Sequence, residues 1–286
     1  MKTNYLTDEA ISAFIEAALQ EDVRDGDHST LASVPADAQR KARLIIKGDG
    51  IIAGVAMAQK IFHHVDPTLD VEFLVKDGDR VAYGDIGLYV IGNAQAILTA
   101  ERLVLNCMQR MSGIATYTQQ AVSKLAGTNT ALLDTRKTTP NFRIMEKWAV
   151  AIGGGQNHRF GLFDMIMLKD NHVDYAGSIT NAVNATVKYL QDHHKTLRIE
   201  VETRNLDEVR EALAVGHVDV IMLDNMSYEM MKEAVGIING QCETEASGGI
   251  TLETIRDVAE CGVDYISVGA LTHSIKSMDI SLKAIK

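Results

Sequence analysis

Residues 197–225 read LRIEVETRNLDEVREALAVGHVDVIMLDN. Two short apolar runs, LRIEVE (197–202) and VDVIML (218–223), flank a polar helix-patterned segment, and each run ends on polar or acidic residues. Buried strand, return helix and second buried strand make a parallel βα unit. The pattern recurs upstream in TALLD (130–134) and FDMIML (163–168), and downstream in ETEA (243–246) and VDYISV (263–268). The last three steps are about 22–23 residues apart, a tight spacing for such units. An eight-unit barrel needs roughly 250 residues, more than the chain holds after Gly127. The reading is an α/β fold with an incomplete barrel of about six strands, and a doubly wound open sheet is the alternative.

Upstream of Gly127 the pattern differs. Residues 40–98 are short β-branched runs separated by Gly and Asp, with Asp-Gly pairs at 49–50 and 77–78 as hairpin or tight-turn signals. An antiparallel sheet is expected there. From Ala94 to Leu125 the spacing of Ile97, Glu101, Leu105 and Met108 is helical, and Gly113 offers a break. At the N-terminal end Thr7 can cap a helix with Asp8 and Glu9 in its first turn and Ile11, Phe14, Ile15, Ala18 and Leu19 on its apolar face.

Composition narrows the class. A chain of 286 residues that is 46% hydrophobic with three prolines is a folded globular protein, and no run approaches membrane-spanning length. The N-terminus lacks the apolar core of a signal peptide, and Cys107, Cys242 and Cys261 read as buried thiols of a reducing compartment. A cytoplasmic location is expected. Formal net charge is −10, yet Arg136, Lys137, Arg143, Lys147, His158, Arg159 and Lys169 crowd into Asp134–His172. Local positive charge in an acidic chain points to a small anionic ligand, not a nucleic-acid track.

Three constellations carry chemistry. Lys137 and Lys169 directly follow apolar strands, and His158 and Arg159 follow the glycines at 153–155. With Arg136 they suit carboxylates or phosphates; the competing view is a solvated, salt-bridged surface. Glu200 and Glu202 share a strand face, and Asp224 ends the next strand. Glu202 and Asp224 near a mouth suit Mg²⁺ beside a phosphorylated substrate, or sugar hydroxyls, or simple ion pairing with neighbouring cations. Small residues in ASGGI (246–250) and SVGA (267–270), at consecutive strand ends, suit a phosphate. The paired histidines 63–64 and 193–194 lack partners at metal-ligand spacing, the methionines are core filler, and Ser247 has no nucleophile-elbow context.

The motifs DTRKTTP (134–140), EKWAV (146–150), GGGQNHR (153–159), LKDNH (168–172), EVE (200–202), MLDN (222–225), ASGGI and SVGALTHS (267–274) occur in an order that resembles the quinolinate phosphoribosyltransferases. EDVRDGDHST (21–30), ERLVLN (101–106) and MSGIAT (111–116) extend the resemblance over nearly the whole chain. It departs at Arg24 and Asn141, where the family usually has glycine. The resemblance implies an N-terminal α/β sandwich (1–112, completed by the tail 273–286) and a six-stranded barrel (113–272). It implies a homodimer in which Arg102 enters the partner's pocket. Arg136, Lys137, His158, Arg159 and Lys169 would surround quinolinate. Glu202 and Asp224 would serve the ribose and Mg²⁺ end of 5-phosphoribosyl 1-pyrophosphate, and Ser247, Gly248, Gly249 and Gly269 its 5′-phosphate. Lys137, Glu202 and Asp224 are the expected catalytic groups. The implied products are nicotinate mononucleotide, pyrophosphate and CO₂, a step of NAD synthesis. Rival readings are a Schiff-base aldolase using Lys137 or Lys169, a phosphoribosyltransferase for another aromatic acid (the molybdenum-associated relatives included), and a phosphosugar sensor.

Overall fold

The computed structural model describes residues 5–285. The chain folds as two compact units. One comprises the chain up to Gln119, Thr138–Gly154 and the chain from Leu271 onward; the other comprises Gln120–Lys137 and Gly155–Ala270.

In chain order the strands are β1 (Gln39–Ile46), β2 (Gly50–Ile51), β3 (Asp70–Phe73), β4 (Arg80–Val81), β5 (Ile86–Asn93), β6 (Ala131–Leu133), β7 (Ile166–Leu168), β8 (Ile199–Thr203), β9 (Val220–Asp224), β10 (Glu243–Ser247), β11 (Tyr265–Ser267) and β12 (Ile280–Ile285). The first unit holds the expected antiparallel sheet, ordered β12-β1-β5-β3. Leu44 of β1 faces Leu88 of β5 on one side and Leu282 of β12 on the other, and all three are buried. Alternation fixes this register, since a one-residue slip would expose every leucine in the ladder. The tail therefore contributes a strand to the N-terminal sheet, 234 residues being no obstacle to pairing because loop-closure cost grows only logarithmically.

 Ile46 and Ile280, which face each other, are the pair so separated.

Thr7 caps the first helix, Asp8–Asp22, as expected: its hydroxyl accepts the Ala10 N–H at 3.2 Å, and Ile11 and Ile15 are buried. The Asp77-Gly78 pair makes a tight turn rather than a hairpin between neighbouring strands. Its carboxylate reaches back to accept the N–H groups of Val55 (2.9 Å) and Ala56 (3.1 Å), capping a helix, Val55–Val65, whose own N-cap is Gly54. The long helix Ala94–Lys124 runs through Gly113 without the expected break, and the 112/113 boundary falls inside it. Gly113 is there for close approach: a Cβ would stand 2.4 Å from the Lys276 carbonyl oxygen. Arg24 (φ 48°) and Asn141 (φ 61°) both adopt the left-handed conformation, which explains why glycine would be at ease at these two places.

The second unit contains all six expected strands in one parallel sheet, ordered β6-β11-β10-β9-β8-β7. Every strand lies beside its sequence neighbour except β6, which joins the last strand. That is a ring order opened between β6 and β7; a doubly wound sheet would instead reverse direction at a switch point. The incomplete barrel holds, and the open-sheet alternative falls. No helix among the described residues is long and apolar enough to cross a membrane.

Candidate active site

A cavity of about 310 Å³ lies wholly within the barrel unit. Arg136, Lys137, His158, Arg159, Lys169 and Ser247 line it, together with Asp134, Thr135, Met167, Met222, Glu245 and Ser267. The five expected cations are thus brought together. They sit at different depths: Lys137 and Lys169 are exposed, whereas His158 and Arg159 are 7% exposed. Burial, with the nearby Arg136 charge, holds the Arg159 guanidinium below its ordinary pKa. Met167 and Met222 face the cavity, so these two methionines are more than core filler.

Lys169 follows β7 and its Nζ lies 3.0 Å from Glu202 Oε2. Part of the ion-pairing view of the acidic set is therefore correct. The pair also argues against a Schiff-base lysine at this position, because the amine is held against a carboxylate oxygen instead of being presented to a carbonyl substrate. Asp224, at the end of β9, is half-buried, and burial pushes its carboxyl up. The Asn225 amide, donating at 2.7 Å, works against that shift, and the Glu202 charge adds to it. Glu202 and Asp224 stand beside the cavity, not among the residues that line it.

Beneath the cations is a cluster that the sequence reading did not assemble. His158 Nε2 lies 3.0 Å from Glu200 Oε2 and 3.2 Å from Glu245 Oε2, and both glutamates are essentially sealed from solvent. Burial alone would lower the imidazole pKa, but hydrogen bonds to Glu200 and Glu245 and their charges push it up to about 10. Burial and the Glu245 charge push the Glu200 carboxyl up. The ring's Nδ1 lies 2.6 Å from the Arg159 N–H, a contact that a second ring proton must displace. Two carboxylates outweigh one neutral amide, so the charged ring is favoured. Alternation could have revealed Glu245: it lies two residues before Ser247 on β10, just as Glu200 lies two before Glu202 on β8.

Of the small-residue turn, Ser247 lines the cavity, and Gly248 and Gly249 follow it directly. Gly248 has φ +101°, and a Cβ there would stand 2.2 Å from Asn225 Oδ1, so only glycine fits. Gly269 lies two residues beyond Ser267, which lines the cavity. Arg102 belongs to the other unit and is exposed on the helix Ala94–Lys124.

An α/β barrel that gathers five cations from two strand ends and one loop, beside a glycine turn, is built for a small, multiply anionic substrate. Family comparison makes this specific. Residues 27–112 match the family "Quinolinate phosphoribosyl transferase, N-terminal domain", and residues 114–283 match its C-terminal domain. The chloroplastic carboxylating nicotinate-nucleotide pyrophosphorylase of Arabidopsis thaliana is 49% identical, over 96% of this chain and 82% of its own length. A probable enzyme of the same name from Bacillus subtilis is 43% identical, over 92% of this chain and 89% of its own. The crystal structure of NadC from Streptococcus pyogenes superposes with a TM-score of 0.91 at 42% identity, covering 99% of this chain and all of that one. The chain belongs to the quinolinate phosphoribosyltransferase family.

Proposed function

We propose that the barrel cavity is the active site of a decarboxylating quinolinate phosphoribosyltransferase, with its residues divided between two substrates. The enzyme transfers the phosphoribosyl group of 5-phosphoribosyl 1-pyrophosphate to quinolinate, giving nicotinate mononucleotide, pyrophosphate and CO₂ for NAD synthesis. One observation carries the division of roles: five cations converge on one cavity of an acidic chain. Quinolinate brings two carboxylates and its co-substrate several phosphate charges. Holding them together without counter-charge is unfavourable.

Arg136, Lys137, His158, Arg159 and Lys169 hold the dicarboxylate, and Arg136 and Arg159 are the groups able to grip a carboxylate with two parallel hydrogen bonds. Ser247, Gly248, Gly249 and Gly269 receive the 5′-phosphate. The pyridine nitrogen attacks C1 of the sugar as pyrophosphate departs, and Glu202 and Asp224 stabilise positive charge developing on the ribose. The N-glycosidic bond leaves the ring nitrogen cationic. The bond from C2 to its carboxylate then breaks, CO₂ leaves, and the electron pair stays on C2 beside that charge until a proton replaces it. No covalent enzyme intermediate is needed.

Mg²⁺ is proposed as the cofactor. The donor set fits, because Glu202 and Asp224 offer hard oxygens, and Mg²⁺ is commonly held by one or two carboxylates plus substrate phosphates. When bound, the ion would offset charge on the leaving pyrophosphate. Arg102, exposed on its helix, is proposed to complete the dicarboxylate site of a partner subunit in a homodimer. A cytoplasmic setting accords with three free cysteines. Lys137→Ala tests the core of the scheme: kcat falls by at least about 100-fold with an unchanged thermal melt. Near-normal turnover would remove Lys137 from the mechanism.

A further inference from the structure

The barrel's opening between β6 and β7 is crossed by residues 156–159. Gln156 forms one parallel rung on β6: its N–H donates to Leu132 O at 2.8 Å, and its carbonyl accepts the Asp134 N–H at 3.1 Å. On the other side the Arg159 guanidinium donates to Met165 O at 3.4 Å, one residue ahead of β7. Asp134, at the end of β6, is completely buried. Its Oδ1 accepts the His158 N–H at 2.8 Å, and its Oδ2 accepts the Asn157 side-chain amide at 2.7 Å. A carboxylate is suited to this place because both of its oxygens accept and neither donates.

We propose that Asp134 is a positioning residue: it latches the Asn157–Arg159 loop to the end of β6, so that the cations at 136–137 and 158–159 converge on one dicarboxylate. Arg136 and Lys137 follow Asp134 along the chain within three residues, so one carboxylate sets both halves of the cationic wall. Of the groups assigned to the phosphosugar, Glu202, Asp224, Ser247, Gly248 and Gly249 belong to or directly follow β8, β9 and β10, none of which pairs with β6. Losing the latch therefore weakens one substrate and spares the other. The substrate readout rests on the quinolinate assignment; the latch itself rests on the hydrogen bonds.

The test compares D134N, N157D and the double variant D134N/N157D in the full-length protein. D134N sets two amide donors face to face. Its KM for quinolinate rises about 10- to 100-fold, the worth of a hydrogen bond to a charged group, while its KM for 5-phosphoribosyl 1-pyrophosphate stays within about 3-fold. N157D opposes two carboxylates and behaves likewise. The double variant reverses donor and acceptor while keeping an oxygen for the His158 N–H, and quinolinate KM returns toward wild type. Amide hydrogen exchange across 156–160 gives a readout that needs no substrate: faster in each single variant, restored in the double. Equal rises in both KM values, or unchanged exchange in D134N, would overturn the latch, as would a double variant no better than the worse single one. If D134N does not fold, N157D and the double variant carry the same comparison. Wild-type protein that ignores quinolinate would sink the assigned activity alone, since the exchange result still decides the latch.

Discussion

At the scale of single residues, the buried triad under the cations is the feature with the most distinctive electrostatics. The His158 pKa is raised in the folded protein from 6.5 to about 10. A raised pKa means that the folded state binds a proton more tightly than the unfolded chain does. The resulting stabilisation is fully present below about pH 6.5 and is lost as pH rises through about 10. Thermal melts between pH 7 and 10 should therefore show a steeper loss of stability in the wild type than in Glu245→Gln, where one of the two carboxylates at Nε2 is neutral. Equal slopes would show that Glu245 does not hold the proton. The sequence exposed the cations readily, because each followed a strand or a glycine run. Strand alternation could have pointed to Glu245 but not to its partner His158, and Asp134 stayed hidden because its role depends on pairing across a loop, which no local pattern records.

At the scale of elements, glycine shows what spacing alone fails to decide. Gly113 and Gly236 both sit inside helices, Ala94–Lys124 and Tyr228–Ile238. A Cβ at 113 would strike the Lys276 carbonyl oxygen at 2.4 Å, whereas at 236 nothing lies within 4 Å. Gly113→Ala should destabilise by about 1–3 kcal/mol, and Gly236→Ala should stabilise by about 0.5–1 kcal/mol. Urea titration of both variants checks the pair, and shifts of the same sign would contradict it. The barrel strands were legible: all six stand where their apolar runs stood in the sequence. The turn at Asp77-Gly78 was legible as a turn, but its carboxylate's second task, capping a helix that starts 22 residues earlier, was not.

At the scale of the whole molecule, the proposed donation of Arg102 to a partner subunit would make the cationic site a shared one. Arg102→Ala and Lys137→Ala are each expected to be nearly inactive alone. Subunit exchange on mixing should restore part of the activity, because a mixed dimer holds one site with both residues intact; no recovery despite proven exchange would place Arg102 in the pocket of its own chain. The central claim is narrower still: five gathered cations select a dicarboxylate and commit it to phosphoribosyl transfer with loss of CO₂. The most direct measurement supplies purified protein with 5-phosphoribosyl 1-pyrophosphate, Mg²⁺ and either quinolinate or nicotinate, and follows pyrophosphate, CO₂ and nicotinate mononucleotide together. Equal amounts of all three are expected from quinolinate, with little turnover of nicotinate. Efficient use of nicotinate, or pyrophosphate released from quinolinate without CO₂, would contradict the central claim.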